Sequence, residues 1–202
     1  METRRCVFVG VGGQGNLLAS RLLGEAALSM GIPVVVSEIH GMAQRGGVVE
    51  SAVLLGNASS PIVSDGEADV LISFEPLETI RSLNKCNRKT TIITNLSPVL
   101  PFTASIGQGV YPPVKDILEI LHRKVDKVFA LEGDKIAEQA GNSLSLNMVM
   151  LGALIGSNSL FIDAASMRDT ISKSTKKAFL DSNIKAFDLG MEAIKKSPDS
   201  LS

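Results

Sequence analysis

His40, Gln44 and Arg45 stand within one eight-residue stretch, His40-Gly41-Met42-Ala43-Gln44-Arg45-Gly46-Gly47, which also carries three glycines. An arginine offers a rigid fork of donors suited to carboxylate or phosphate. An imidazole titrates near neutral pH, and glycines let backbone approach a ligand closely. The stretch lies between two apolar runs, Val34-Val35-Val36 and Val48 to Leu55, where a connection needs only a few polar turn residues. It reads either as a surface turn with an incidental arginine or as a binding or docking loop held by a rigid scaffold.

A second group precedes it. Gly10-Val11-Gly12-Gly13-Gln14-Gly15 follows the apolar run Cys6 to Val9 and opens a helical pattern, so Gly10-x-Gly12-x-x-Gly15 fits a dinucleotide fingerprint. In such turns the backbone N–H groups at a helix start can cradle a phosphate. Glu38 follows about twenty residues on, where a ribose-binding acid would stand. On this reading Gly10, Gly12, Gly13, Gln14, Gly15 and Glu38 are candidate cofactor- or anion-binding residues. The same turn also occurs only to pack a helix on a strand, and the HGMAQRGG stretch directly after the acid is not what a dinucleotide domain needs. Glu75 is a further candidate at the end of the run Ala68 to Phe74. It is placed either to face a ligand at the carboxyl edge of a sheet or to cap the helix beginning at Pro76.

The elements that must position these residues alternate. Strands are expected at Cys6–Val9, Val34–Val36, Val48–Leu55, Ala68–Phe74, Thr90–Thr94 and Lys127–Leu131. Helices are expected after Gly15, at Pro76–Leu83, Val114–Arg123, Gly133–Ala140 and Asn142–Gly156, and once or twice over Ala164–Lys196. Strand, glycine turn, helix, strand reads as the opening of a βαβ unit. The fold class is therefore α/β: a three-layer Rossmann-like open sheet with helices on both faces and a helical C-terminal part. A Pro-rich stretch up to Pro113 reads as a lid or partner-binding segment. Asn147, inside an apolar helix, requires a partner if buried, and His122 is expected in solvent.

Composition excludes several classes. With 20 basic against 21 acidic residues and 4% aromatics, nothing favours nucleic acid. No apolar run is long enough for a membrane span, and a cytoplasmic setting is expected. Cys6 and Cys86, the only two cysteines, cannot frame a disulfide scaffold, a zinc ribbon or a self-contained iron–sulfur site. No metal site and no catalytic residue is assigned, since neither a Ser/His/Asp set nor HExxH, a Walker lysine motif or CxxC is present.

GVGGQGN at 10–16, SEIHGMAQRGG at 37–47 and GEADVLISFEPLE at 66–78 resemble the gamma-domain family of 2-oxoacid:ferredoxin oxidoreductases. The run Asn147 to Leu154, and Asn183 with Ala186-Phe187-Asp188-Leu189-Gly190, resemble that family's late helices, so the similarity spans nearly the whole chain. It implies one gamma-type domain over 1–202, with the helices of about 143–196 packed on it. Within the family the forms look most like small (beta) subunits of enzymes that oxidatively decarboxylate indolepyruvate or other aryl pyruvates. Coenzyme A is then the co-substrate and ferredoxin takes the electrons. The resemblance implies that this chain binds no cofactor alone, and that a large (alpha) partner subunit carries thiamine diphosphate, Mg and the iron–sulfur clusters. His40, Gly41, Met42, Gln44, Arg45, Gly46 and Gly47 would form a substrate, coenzyme A or subunit-interface loop. One departure stands out: such subunits commonly carry an arginine in the following strand, where this chain has Val53-Leu54-Leu55. The alternatives are a stand-alone NAD- or flavin-binding protein and a non-catalytic assembly subunit.

Overall fold

A computed structural model describes residues 2–40, 47–58, 60–100 and 109–195. The described strands are β1 (Arg4–Val11), β2 (Val34–His40), β3 (Val48–Leu55), β4 (Ala68–Ser73), β5 (Cys86–Asn95) and β6 (Lys127–Leu131). The helices are α1 (Asn16–Ser29), α2 (Pro76–Arg81), α3 (Val114–Lys124), α4 (Gly133–Ala140), α5 (Leu146–Gly156), α6 (Ala164–Ser174) and α7 (Leu180–Lys195). The strands form one sheet in the order β2-β3-β1-β4-β5-β6.

Alternation along the strands divides the core into two layers, as the period of a pleated strand requires. Cys6, Phe8, Val53, Val70, Ile72 and Ile93 face α1, α4, α5, α6 and α7. Val7, Val9, Leu54, Leu71, Ile92 and Val128 face α3 and α2. The three-layer α/β expectation holds. Two details differ from the sequence reading. The expected helix from Asn142 starts as a short 3-10 turn, Ser143–Ser145, because the Asn142 side chain accepts the Leu144 N–H and holds the chain out of α geometry. The opening βαβ unit is also split: β1 pairs antiparallel with β3 and parallel with β4, and β2 pairs, among the described residues, with β3 alone. The hairpin return of β3 slots between the two strands that α1 connects.

Five strands consequently run one way, and their carboxyl ends, together with the start of β3, share one rim. That rim carries the glycine turn, the end of β2, Glu75 and Asn95. Behind it, α5 and α7 cross with backbones in contact. A Cβ on Gly152 would fall 1.9 Å from the Phe187 carbonyl oxygen, and one on Gly190 would fall 2.1 Å from that of Val149. Gly152→Ala must therefore push the helices apart, and overpacking of this severity costs about 3 kcal/mol. For a chain of this size the expected result is a melting temperature lower by roughly 6–12 °C, read by thermal unfolding.

Candidate functional site

The glycine turn is built from contacts within the protein. Gly13 and Gly15 take left-handed φ values of +104° and +80°, which a side chain would strain. A Cβ on Gly15 would sit 2.8 Å from Asn147 Nδ2, so α5 packs directly on the turn. A Cβ on Gly10 would meet Gln14 Oε1 at 2.9 Å and Phe74 Cβ at 3.0 Å. The Val11 N–H donates to Gln14 Oε1 (2.9 Å), the Gly12 N–H to the Gly47 carbonyl (3.0 Å) and the Gln14 N–H to the Val11 carbonyl (3.3 Å). Asn16, 2% exposed, donates from Nδ2 to the Val49 carbonyl.

Gln14 also reaches across the rim, donating from Nε2 to the Phe74 carbonyl at 2.9 Å. Asn95 Nδ2 donates to the same carbonyl at 3.1 Å and to Asp134 Oδ2 at 2.8 Å, while Asn95 Oδ1 accepts the Gly133 N–H at 3.0 Å. One carbonyl thus ties the ends of β1, β4 and β5 to the start of α4. Asn95 carries no distinguishing signal in the sequence, where it simply follows Thr94 at the end of a strand that is already rich in polar residues.

Glu75 is 1% exposed. Its Oε2 accepts the Glu78 N–H at 3.0 Å, capping α2. Its Oε1 accepts the Val99 N–H at 3.2 Å and the Tyr111 hydroxyl at 2.5 Å. Among the described residues three donors engage the carboxylate, and two of them, Val99 and Tyr111, belong to the Pro-rich stretch that the sequence marks as a lid or partner-binding segment. Tyr111, the only tyrosine of the chain, gave no sequence signal. Burial raises its hydroxyl pKa, and the Glu75 carboxylate beside it raises it further. Glu78 bonds Arg81 through Oε1, whereas its buried Oε2 has no partner among the described residues. Burial raises the Glu78 pKa, Arg81 opposes the rise and the Glu75 charge adds to it.

Glu38 lies on β2, opposite Ser51, which in turn lies opposite Phe8. It is two strands from β1 and below the level of the turn, whereas a ribose-binding acid needs the adjacent strand. The backbone of His40 ends β2 opposite Val49, itself opposite Gly10. Both ends of the HGMAQRGG connection therefore land beside the glycine turn, at His40 and at Gly47. Gly41, Met42, Gln44, Arg45 and Gly46 lie outside the described residues. Where the family arginine was missed, Val53, Leu54 and Leu55 fill the core on both faces of β3. His122 is exposed and Asn147 is buried, accepting from the Met148 N–H at 3.0 Å. Among the described residues no cluster of His, Cys, Asp or Glu could hold a metal, and no helix is long and apolar enough to cross a membrane.

The family model for pyruvate ferredoxin/flavodoxin oxidoreductase matches residues 5–193. The chain is 40% identical over 188 residues to indolepyruvate oxidoreductase subunit IorB of Methanothermobacter thermautotrophicus, covering 93% of this chain and 96% of that protein. In fold it resembles the gamma subunit of a keto/oxoacid ferredoxin oxidoreductase from Geobacter sulfurreducens, with TM-score 0.70, 21% identity, 96% of this chain and 99% of that one. It also resembles part of the 2-oxoglutarate:ferredoxin oxidoreductase of Magnetococcus marinus, solved with 2-oxoglutarate, coenzyme A and succinyl-CoA bound. There the TM-score is 0.72 at 19% identity, over 98% of this chain and 32% of that one. Neither these likenesses nor the geometry favours the dinucleotide alternative: three N–H groups of the turn are engaged internally, and Glu38 is on the wrong strand.

Two consequences can be measured. Gln14→Ala removes two part-buried hydrogen bonds and should destabilise the chain by about 2 kcal/mol in urea titration. For Glu78, a folded pKa above the unfolded value means that the folded state binds the extra proton. Its contribution to stability is present below the unfolded pKa, near 4.5, and is lost as pH rises through the folded pKa. Glu78→Gln should therefore gain stability relative to the native chain as pH rises from about 4.5 toward neutrality, read as the difference in urea midpoints across that range.

Proposed function

The chain belongs to the pyruvate ferredoxin/flavodoxin oxidoreductase family, and from that premise we propose that it is the small, non-cluster subunit of an enzyme oxidising indolepyruvate or related aryl pyruvates. The observation that carries this reading is the 40% identity to an indolepyruvate oxidoreductase subunit over nearly the full length of both proteins. In the reaction the 2-oxoacid loses its carboxylate as carbon dioxide and the acyl group passes to the thiol of coenzyme A. The two electrons released go to ferredoxin, and one proton leaves. The chain acts as a single gamma-type domain and as an obligate subunit, inactive alone.

Thiamine diphosphate, magnesium and the iron–sulfur clusters belong in this reading to the large subunit. The chemistry of the two cysteines agrees. Cys6 packs into the α1 side of the core and Cys86 into the α3 side. Burial raises both thiol pKa values, that of Cys86 to about 11, whereas iron requires thiolates.

The part played by this chain is to present the His40–Gly47 loop. Gly12 holds the Gly47 end of it, and Gln14, bonded to the neighbouring Val11 N–H and to the Phe74 carbonyl, braces the turn. Arg45 makes the anionic contact, to coenzyme A or to the acyl intermediate, and Gly46 and Gly47 admit close backbone approach. His40, Gly41, Met42 and Gln44 complete the surface that meets the large subunit. In the assembled complex Arg45→Ala should lower turnover about 10- to 100-fold, the scale of one charged hydrogen bond. The melting temperature of the chain and its association with the large subunit should stay unchanged. Full turnover would remove Arg45 from the mechanism. Lost association, with normal specific activity in whatever complex forms, would make the loop a docking element only.

A further inference from the structure

Asn95 closes β5 and is fully buried, yet both ends of its amide are bonded. Its Oδ1 accepts the Gly133 N–H at 3.0 Å, so Nδ2 faces the Phe74 carbonyl (3.1 Å) and Asp134 Oδ2 (2.8 Å). The amide cannot turn over without setting an oxygen against two acceptors. The bridge that runs from Gly133 through Asn95 and Phe74 to Gln14 also keeps a glycine bare at each end. A Cβ on Gly133 would come 2.6 Å from Leu146 Cδ1 and 3.0 Å from Asn95 Oδ1, and one on Gly10 would meet Gln14 Oε1 at 2.9 Å. Packing alone does not ask for this. Phe74, Leu131 and Leu146 are already buried around these element ends, and apolar contacts would join them without the cost of burying an amide. What apolar contacts do not supply is a fixed direction, which a hydrogen bond does.

On the reading that Arg45 makes the anionic contact of the enzyme, we propose that Asn95 is a positioning residue for that contact. It acts through the Phe74 carbonyl. Held by Asn95 from the β5 side, this oxygen presents its second lone pair to Gln14 Nε2 at 2.9 Å. The Gln14 amide so oriented turns its Oε1 to the Val11 N–H, also at 2.9 Å. The next N–H of the chain, that of Gly12, donates to the Gly47 carbonyl at 3.0 Å. Gly47 lies two residues after Arg45. A tilt of the Phe74 carbonyl therefore passes through Gln14 and the glycine turn to the point where the loop is anchored. A misplacement of about 1 Å can cost on the order of 100-fold in rate, so the direction of this one carbonyl has a kinetic consequence.

The test uses the assembled complex, with kcat/KM for coenzyme A measured in the native enzyme, Asn95→Ala, Arg45→Ala and the double variant. Asn95→Ala should lower kcat/KM about 3- to 30-fold, the range in which residues along a coupled network act. In the Arg45→Ala background the same substitution should change it by less than about twofold, the margin within which independent effects add. A residue that only holds the fold together would cost the same factor in both backgrounds. Gln14→Glu cuts the path at its other half, at a half-buried position. One oxygen still accepts the Val11 N–H while the other opposes the Phe74 carbonyl. Assayed at about pH 8, above the ordinary glutamate range, this variant should give the same pattern, and it stands in where Asn95→Ala does not fold. With Arg45→Ala impaired, an equal loss in both backgrounds, or native kinetics in Asn95→Ala or Gln14→Glu, would overturn the proposal and leave the proposed function in place. Native kinetics in Arg45→Ala would remove Arg45 from the mechanism and the role of Asn95 with it.

Discussion

The carbonyl oxygen of Phe74 accepts two side-chain amides at once, Gln14 from the glycine turn and Asn95 from the end of β5. A carbonyl has two lone pairs, and one buried at a strand end must satisfy them without a ladder partner. Filling both from two different strands locks three parallel strand ends at one height. The demand then propagates. Gln14 can reach Phe74 only if Gly10 has no side chain, and its Oε1 takes the Val11 N–H. The turn so shaped points the Gly12 N–H at Gly47, where the loop rejoins the sheet. On the far side, Asn95 seats Gly133 and so starts α4. The rim is a network in which local bonds are joined by links between partners distant in sequence, and such networks are rigid when complete.

Inserting β3 between β1 and β2 gives the familiar glycine spacing a different meaning. In a dinucleotide fold the second strand borders the first, so its terminal acid stands beside the turn. Here an antiparallel strand takes that place, moving Glu38 away and bringing the His40–Gly47 connection in. The glycines retain their conformational role, since Gly13 and Gly15 are left-handed, but the turn is bordered by Gly47 and the start of β3 rather than by a ribose-binding acid. The same spacing serves here to hold the Gly47 end of that connection through the Gly12 N–H.

Much of this fold was legible in the sequence. Apolar runs bounded by turn residues placed the described strands, and 3.6-residue patterns nearly every described helix, because composition records the faces an element buries. Strand order was not legible: a glycine turn followed by a helix and a strand predicts parallel direction, not adjacency. Glu75 shows the same boundary. Cap and ligand readings stood equal in the sequence, since the Glu78 N–H is local, but the donors that complete its shell, Val99 and Tyr111, lie 24 and 36 residues away. Asn95 was invisible for a like reason, because an asparagine after Thr94 becomes a rim organiser only once Phe74, Gly133 and Asp134 converge on it. The family itself was legible in the HGMAQRGG stretch and its flanks, where residue types are dictated by more than packing.

The central claim is that this chain is half of an oxidoreductase. The measurement that tests it most directly is isolation of the chain from its native host, followed by a 2-oxoacid-dependent assay of low-potential dye reduction with and without coenzyme A. The account predicts co-isolation with a large subunit bearing iron–sulfur clusters and thiamine diphosphate, and coenzyme A-dependent activity highest with indolepyruvate. A chain that emerges alone, carrying a nicotinamide or flavin and lacking such activity, would contradict it.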